Sequence, residues 1–255
     1  MLTAGQAARL DATGILRLPG VVDRAAAGGM ADAVWASLAA RGVDRSDRAT
    51  WPAGFVGHHQ ALRRRRVFDA FRGSATAAVA DGLLGPGAWF DPGPWGPALV
   101  SFPQPGPWTV PHTHWHLDLP GRGDPDRPTT VRLFGYAADV VPRGGGTVVV
   151  EGSHAVVRRL VAAHPGHDLG GSAQVRRRLT AHHPWFTALG REGGDRVRQF
   201  MTDGDEVDGI RVRVVELTAD AGDLVVMLPW TLHSLAPNCA DAPRIMVTHS
   251  IHRSA

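Results

Sequence analysis

Between Val110 and Pro120 the chain reads VPHTHWHLDLP, so that His112, His114 and His116 occupy alternate positions and Asp118 follows them. In an extended strand, side chains two residues apart share a face. The spacing therefore predicts four potential metal ligands in one row, more than a single ion can easily use. His116 and Asp118 make the closest histidine–carboxylate pair, about 7 Å apart along a strand. His112 and His114 lie farther from the carboxylate and would draw an ion away from it. His233 follows the strand-like run GDLVVML, and Arg244 stands eleven positions beyond it.

Two histidines and one carboxylate on one face of an octahedron leave three positions open, which suits Fe(II) and oxygen chemistry. Structural zinc would call for four closed ligands, usually with cysteine, and Cys239 is the only cysteine in the chain. Iron needs a reductant to activate oxygen. A 2-oxo acid chelating the metal through its keto-acid end leaves a far carboxylate, which wants a permanently charged, bidentate partner. Arg244 is the candidate for that partner.

These residues need a scaffold, and its pattern is visible. Thr3 is placed to cap a helix to about Leu10, GILRLPG (14–20) alternates as a strand, and Asp23 is placed to cap a helix to about Ala40. A loop follows through GFVGHHQALRRRR, and the next helix is expected over 66–84. From about residue 98 onward, seven short strand-like runs are separated by turn residues: ALVSF, THWHLDL, TVRLFGYAADV, GTVVVEG, IRVRVVEL, GDLVVML and RIMVTHSIH. The pattern predicts a mainly β sandwich, barrel or jelly roll with flanking helices. It divides one domain, 1–255, into an N-terminal helical part (about 1–95) and a β core (about 96–255). An insert at about 156–209 holds a helix, SAQVRRRLTAHH, and is of the kind that forms lids or binding loops.

Composition narrows the class. A length of 255 residues and 44% hydrophobic content suit one domain with a sizeable core. All 27 basic residues are Arg, but they are interleaved with 24 acids. The runs Arg63–Arg66 and Arg176–Arg178 read as solvated helix faces, since no nucleic-acid-binding motif surrounds them. One cysteine excludes an internal disulfide and fits a reducing compartment. Neither a secretory signal nor an apolar stretch long enough to span a bilayer is visible, so the expectation is a soluble, cytoplasmic protein. Nothing points to nucleic acid or a membrane, and oligomeric state is not readable.

Four pieces in this order resemble the phytanoyl-CoA dioxygenase family of Fe(II)- and 2-oxoglutarate-dependent oxygenases. The opening LTAGQAARLDATGILRLPGVVDRAAAGGM is similar to the family's helix–strand–helix start. WHLD is similar to its iron-binding Trp-His-x-Asp, GGGTVVVEGSH to its Asn-Gly…Pro-Gly-Ser-His, and HSLAPNCADAPR to its distal His and Arg. The resemblance implies a double-stranded β-helix, a cupin-like jelly roll. It implies His116, Asp118 and His233 as iron ligands, Arg244 on the distal carboxylate of 2-oxoglutarate, and O2 as oxidant. The sequence departs from the pattern at Leu117, where Gln is frequent, at Glu151, where Pro is usual, and at Gly144, which replaces Asn. Halogenating members lack the carboxylate, so Asp118 implies hydroxylation or a related C–H oxidation of a small molecule, with 2-oxoglutarate decarboxylated to succinate.

Other positions carry weaker expectations. Thr147 and Glu151 share a strand face and are candidates for 2-oxoglutarate or substrate contact. The family's layout adds Ser101 beside the co-substrate and Phe134 in the pocket. Trp230 is a candidate pocket wall, and His114 a substrate contact or a neighbour orienting Asp118. Trp115 is expected in the core and His154 in a turn. Two other readings stand: a cupin-type dioxygenase using His112, His114 and His233 without 2-oxoglutarate, which leaves Arg244 without a role, and a non-catalytic jelly-roll binding protein.

Overall fold

The computed structural model of the chain describes residues 2–57 and 59–254. Helix α1 (Ala4–Thr13) begins where Thr3 and Gln6 cap each other's main-chain amides, and ends at Gly14 with φ 80°. A Cβ at Gly14 would lie 2.5 Å from His154 Nδ1, so the glycine is required by space as well as by conformation. Strand β1 (Ile15–Leu18) follows, then α2 (Arg24–Ala39), capped by Asp23.

Of the helix expected over 66–84 only the later part forms, as α4 (Ser74–Leu84), while a short helix, α3 (Gln60–Arg64), lies in the run expected as a loop. Arg66 takes a φ of 60°. The Asp69 carboxylate accepts the Trp95 amide (3.0 Å), and Gly73 breaks the backbone before α4. Binding to the 93–95 loop wins over helix continuity here.

The strands form two antiparallel sheets. The larger runs β1, β9 (Leu224–Met227), β5 (Thr130–Tyr136), β11 (Arg244–Arg253), β4 (Ala98–Ser101) and β2 (Phe55–Val56), with β3 (Trp89–Phe90) paired to the end of β11. The smaller runs β10 (His233–Leu235), β6 (Thr147–Glu151), β8 (Ile210–Glu216) and β7 (Asp205–Val207). This is a double-stranded β-helix, a jelly roll with flanking helices. β1 forms an edge of the larger sheet, so the N-terminal segment is built into the β structure.

Period-two burial sorts the residues into three layers. Val131, Leu133, Ile245 and Val247 face outward and pack beneath α2 and α4 with Val34, Leu38, Val79 and Leu84. Val148, Val150, Val212 and Val214 face outward from the smaller sheet. They are covered by α5 (Ser153–Ala163), α6 (Ser172–His182) and α7 (Pro184–Leu189). Between the sheets lie Phe134, Tyr136, Val149, Val225, Met227 and Met246.

The run 113–119, expected as a strand, is irregular, and only His116 makes a bridge, to His233. Pro111 has no amide to donate, His114 adopts φ 60°, and the Trp115 indole donates back to Pro111 O at 2.8 Å. Together these close a turn where the alternation suggested extension. His154, expected in a turn, is buried in the first turn of α5 and binds Asp11 O through Nε2 (2.9 Å). Four strands were not anticipated: the two-residue β2 and β3, β7, and β10, which His233 opens. Among the described residues no helix is long and apolar enough to cross a membrane.

Arg196, 5% exposed, fastens the start of the 110–120 loop. Its guanidinium donates to Val110 O (2.8 Å), Pro111 O (2.9 Å) and Leu189 O (2.7 Å) and reaches Arg191 O. Replacing it strands buried carbonyls at the end of α7. Arg196→Met, which keeps the apolar stem, is expected to lower the unfolding free energy by about 2–3 kcal/mol. Urea denaturation followed by circular dichroism reads this, and an unchanged midpoint would mean water replaces the guanidinium.

Candidate metal centre and co-substrate site

His116 and Asp118 project from the irregular loop, and His233 opens β10. The two histidines are joined through their main chains, His116 N to His233 O at 2.9 Å and His233 N to His116 O at 3.0 Å. Asp118 Oδ1 lies 3.8 Å from His116 Nε2, and Oδ2 lies 3.7 Å from His233 Nε2. One ligand atom from each residue falls within 4.8 Å of the others, and this is the only such histidine–carboxylate–cysteine cluster among the described residues. Each imidazole is turned by a main-chain carbonyl two residues before it: His116 Nδ1 lies 2.8 Å from His114 O, and His233 Nδ1 lies 2.9 Å from Thr231 O. With Nδ1 donating, each Nε2 keeps its lone pair for a metal.

The rest of the loop is tied by side chains from elsewhere. Ser234 Oγ donates to Thr113 O (2.9 Å), Ser172 Oγ accepts from Leu117 N (2.9 Å), and the Trp230 indole donates to Pro120 O (2.8 Å). An irregular segment thereby has its main-chain groups satisfied at fixed points.

Electrostatics favour the metal-ready protonation states. Burial acts to raise the Asp118 carboxyl, but Arg132 and the two imidazoles outweigh it and hold the group below its usual range. Arg132 Nε donates to Asp118 Oδ2 at 2.5 Å, and Arg132 Nη1 donates to Ser250 Oγ at 3.0 Å. Burial pushes the His233 imidazole down to about 4, partly opposed by Asp118.

Arg244 sits at the other end of the same interior. It is 1% exposed and has no carboxylate partner among the described residues. Nη2 lies 3.2 Å from Ser101 Oγ and Nη1 3.5 Å from Thr147 Oγ1. Among the described residues its Nε has no hydrogen-bond partner, nor does the buried Tyr136 hydroxyl. Burial lowers its pKa to about 10, so it stays charged at neutral pH. A buried cation without a counter-charge is costly, and unsatisfied donors around it are what an absent carboxylate would leave. The residues therefore fit a 2-oxo diacid whose far carboxylate meets Arg244, Ser101 and Thr147.

The remaining sequence candidates divide. Phe134 lies between the sheets, on the inner face it shares with Arg132 and Tyr136. Trp230, at φ 66°, lines the cavity beside Asp118. Thr147 and Glu151 do share a face, but Glu151 is engaged by Arg213 Nε at 2.6 Å and lines none of the three main cavities. His112 and His114 turn away from the cluster onto a separate cavity. The set His112, His114 and His233 is thus not brought together. Sequence reasoning missed Arg132, Tyr136, Ser250 and His252. The available signal for Arg132 was a lone cation in the apolar strand TVRLFGY, at inward parity with Phe134.

A family model, Phytanoyl-CoA dioxygenase (PhyH), matches residues 10–246. The chain belongs to the phytanoyl-CoA dioxygenase family. It is therefore an Fe(II)- and 2-oxoglutarate-dependent oxygenase that uses O2. No curated protein matches it in sequence. Among solved structures, AviO1 from Streptomyces viridochromogenes Tue57 is 18% identical with a TM-score of 0.55, covering 100% of this chain and 98% of AviO1. HygX from Streptomyces hygroscopicus, solved with nickel and 2-oxoglutarate bound, is 15% identical with a TM-score of 0.54, covering 99% and 88%. SnoN, a non-heme alpha ketoglutarate dependent epimerase from nogalamycin biosynthesis, is 20% identical with a TM-score of 0.50, covering 98% and 81%. These likenesses establish the shared fold.

The His233 imidazole sets a pH dependence. Between its ordinary value of 6.5 and about 4, the unfolded chain takes up a proton that the folded chain refuses. The stability that this group contributes is complete above that window and is lost as pH falls through it, roughly 3 kcal/mol in all. Urea titrations of metal-free protein at pH 7 and pH 4.5 are expected to show this loss, and His233→Gln to reduce it. An equal loss in the variant would assign the pH dependence to other groups.

Proposed function

We propose that the enzyme oxidises a C–H bond of a small molecule with a large apolar body, by hydroxylation or a related outcome, in bacterial secondary metabolism. The balanced reaction for hydroxylation is R–H plus O2 plus 2-oxoglutarate giving R–OH, succinate and CO2. In this reading His116, Asp118 and His233 hold the iron, and Arg244, Ser101 and Thr147 hold the far carboxylate of 2-oxoglutarate. The bound metal and co-substrate supply the oxidising chemistry.

The observation that carries the reading is the space beside Asp118. A cavity of about 220 Å³ is lined by Asp118, Arg132, Ser250, Thr130 and His252. It shares Leu119, Leu228, Pro229 and Trp230 with a second cavity of about 700 Å³, whose walls include Leu2, Leu10 and Leu83. That volume is of the size that encloses drug-sized ligands. Charged residues gather at its rim, where Arg158 lies 3.6 Å from Asp11. Trp230 stands between the two spaces with its indole fixed on Pro120 O. The apolar walls position the body of a substrate and exclude water, while the polar end beside Asp118 orients the reacting portion. The printed origin of SnoN in nogalamycin biosynthesis supports a secondary-metabolite substrate.

Anaerobic addition of Fe(II) and then 2-oxoglutarate tests the assignment. A weak visible charge-transfer band is expected in the parent and in His114→Ala. Arg244→Ala is expected to need about tenfold or more 2-oxoglutarate to reach it, the loss of one charge-assisted contact. A parent protein that binds metal but forms no band would favour the non-catalytic binding reading. Equal titrations in the parent and Arg244→Ala would remove Arg244 from the co-substrate site.

A further inference from the structure

The geometry points to a second binding site, for a phosphate group, on the outer side of the 112–115 loop. It is independent of the reading of the C–H oxidation site. A cavity of about 430 Å³ separates that loop from α6. One wall is His112, Thr113, His114 and Trp115; the facing wall is Ala173, Arg176, Arg177 and Thr180. Those four positions follow the i, i+3, i+4, i+7 spacing of a single helix face. Val175 holds the opposite side of α6 in the core and Leu179 is buried beside the cavity floor, so the Arg face is turned toward the loop.

The charge on these walls has no internal answer. Among the described residues no acidic side chain lines the cavity. The side chains of Arg176 and Arg177 have no hydrogen bond or ion pair among the described residues, whereas neighbouring Arg178 meets His164 Nε2 at 3.1 Å. Neither the His112 nor the His114 ring has a hydrogen-bond partner among the described residues. Two guanidiniums and two imidazoles on opposed walls make a donor-rich, positive recess. Guanidinium forks match phosphate oxygens, and a phosphate dianion offers more acceptor oxygens to the donors of the two walls than a carboxylate does. The floor is apolar, formed by Leu179, Phe186, Leu189 and Leu232. The phosphate is therefore either the free anion or one carried on an organic body that covers this floor. The His112 and His114 side chains, absent from the metal cluster, have a function here, and His114 O still holds His116 Nδ1.

Isothermal titration calorimetry on the full chain, at low ionic strength and with saturating 2-oxoglutarate, tests the site with inorganic phosphate and with phenyl phosphate. Saturable binding is expected, weakened about tenfold or more in R176Q/R177Q, equivalent to about 1.4 kcal/mol. R64Q/R65Q, which alters the other Arg run, is expected to bind as the parent does. Tighter binding of phenyl phosphate assigns the phosphate to an organic ligand, and equal affinity assigns it to the free anion. Absence of saturable binding by either probe overturns the site. So does an affinity that R176Q/R177Q leaves unchanged, or one that both double variants weaken alike. Far-ultraviolet circular dichroism and the Fe(II)–2-oxoglutarate band confirm that the variants are folded.

Discussion

The paired main-chain hydrogen bonds between His116 and His233 are the constraint on which the metal cluster depends. They join an irregular loop to the edge of the smaller sheet, 117 positions away in the chain. Without them, two imidazoles at 4.2 Å centroid separation would have no common frame. A loop lacks the repeating bonds that make a strand rigid, so its rigidity must come from side chains. Arg196, Ser234, Ser172 and Trp230 each take a main-chain group of this loop, and His116 and His233 take each other's. An imidazole oriented this way needs little reorganisation to meet an ion.

The interior of the jelly roll extends that frame into a chemical gradient. Strands β5 and β11 are paired with Met246 opposite Tyr136, Ser250 opposite Arg132 and His252 opposite Thr130. Their inward faces therefore run from a buried cation and hydroxyl, Arg244 and Tyr136, through Met246 and Phe134, to the polar group beside Asp118. Apolar residues separate two charged ends, and each end is poised for a different partner. Arg244 makes no ion pair among the described residues, Glu216 acting on it only from a distance, while Asp118 is shared between Arg132 and the imidazoles. Burying such charges without full compensation costs stability, and a fold carries this cost where binding offsets it.

The legibility of this arrangement in the sequence follows the range of the interactions. The candidate set His116, Asp118 and His233, with Arg244 at a strand start, could be proposed because residue type and short spacing are local features, although the strand parity expected for 113–119 does not hold. The strand expected at 113–119 could not survive Pro111, His114 at φ 60° and the Trp115 indole bond, which are local but carry no periodic signal. The break between α3 and α4 depends on Asp69 meeting Trp95, 26 positions on, and no window of sequence shows that. Arg132 was hidden because a lone charge in a strand declares its partner only when the chain has folded.

The broken alternation has a chemical consequence of its own. Had the loop been extended, His112 and His114 would share a face with His116 and Asp118, and four side chains would compete for one ion. Four protein ligands on an octahedral ion would leave two positions, too few for a bidentate 2-oxo acid together with oxygen. The left-handed turn at His114 sends two imidazoles to the outer side and leaves three candidate ligand atoms inside. A φ of 60° at a non-glycine residue is unfavourable by itself. It persists because the bonds on either side, at Pro111, Thr113 and His116, fix the chain ends between which His114 must turn. The same backbone feature thus limits the number of ligands within and assembles the basic wall without.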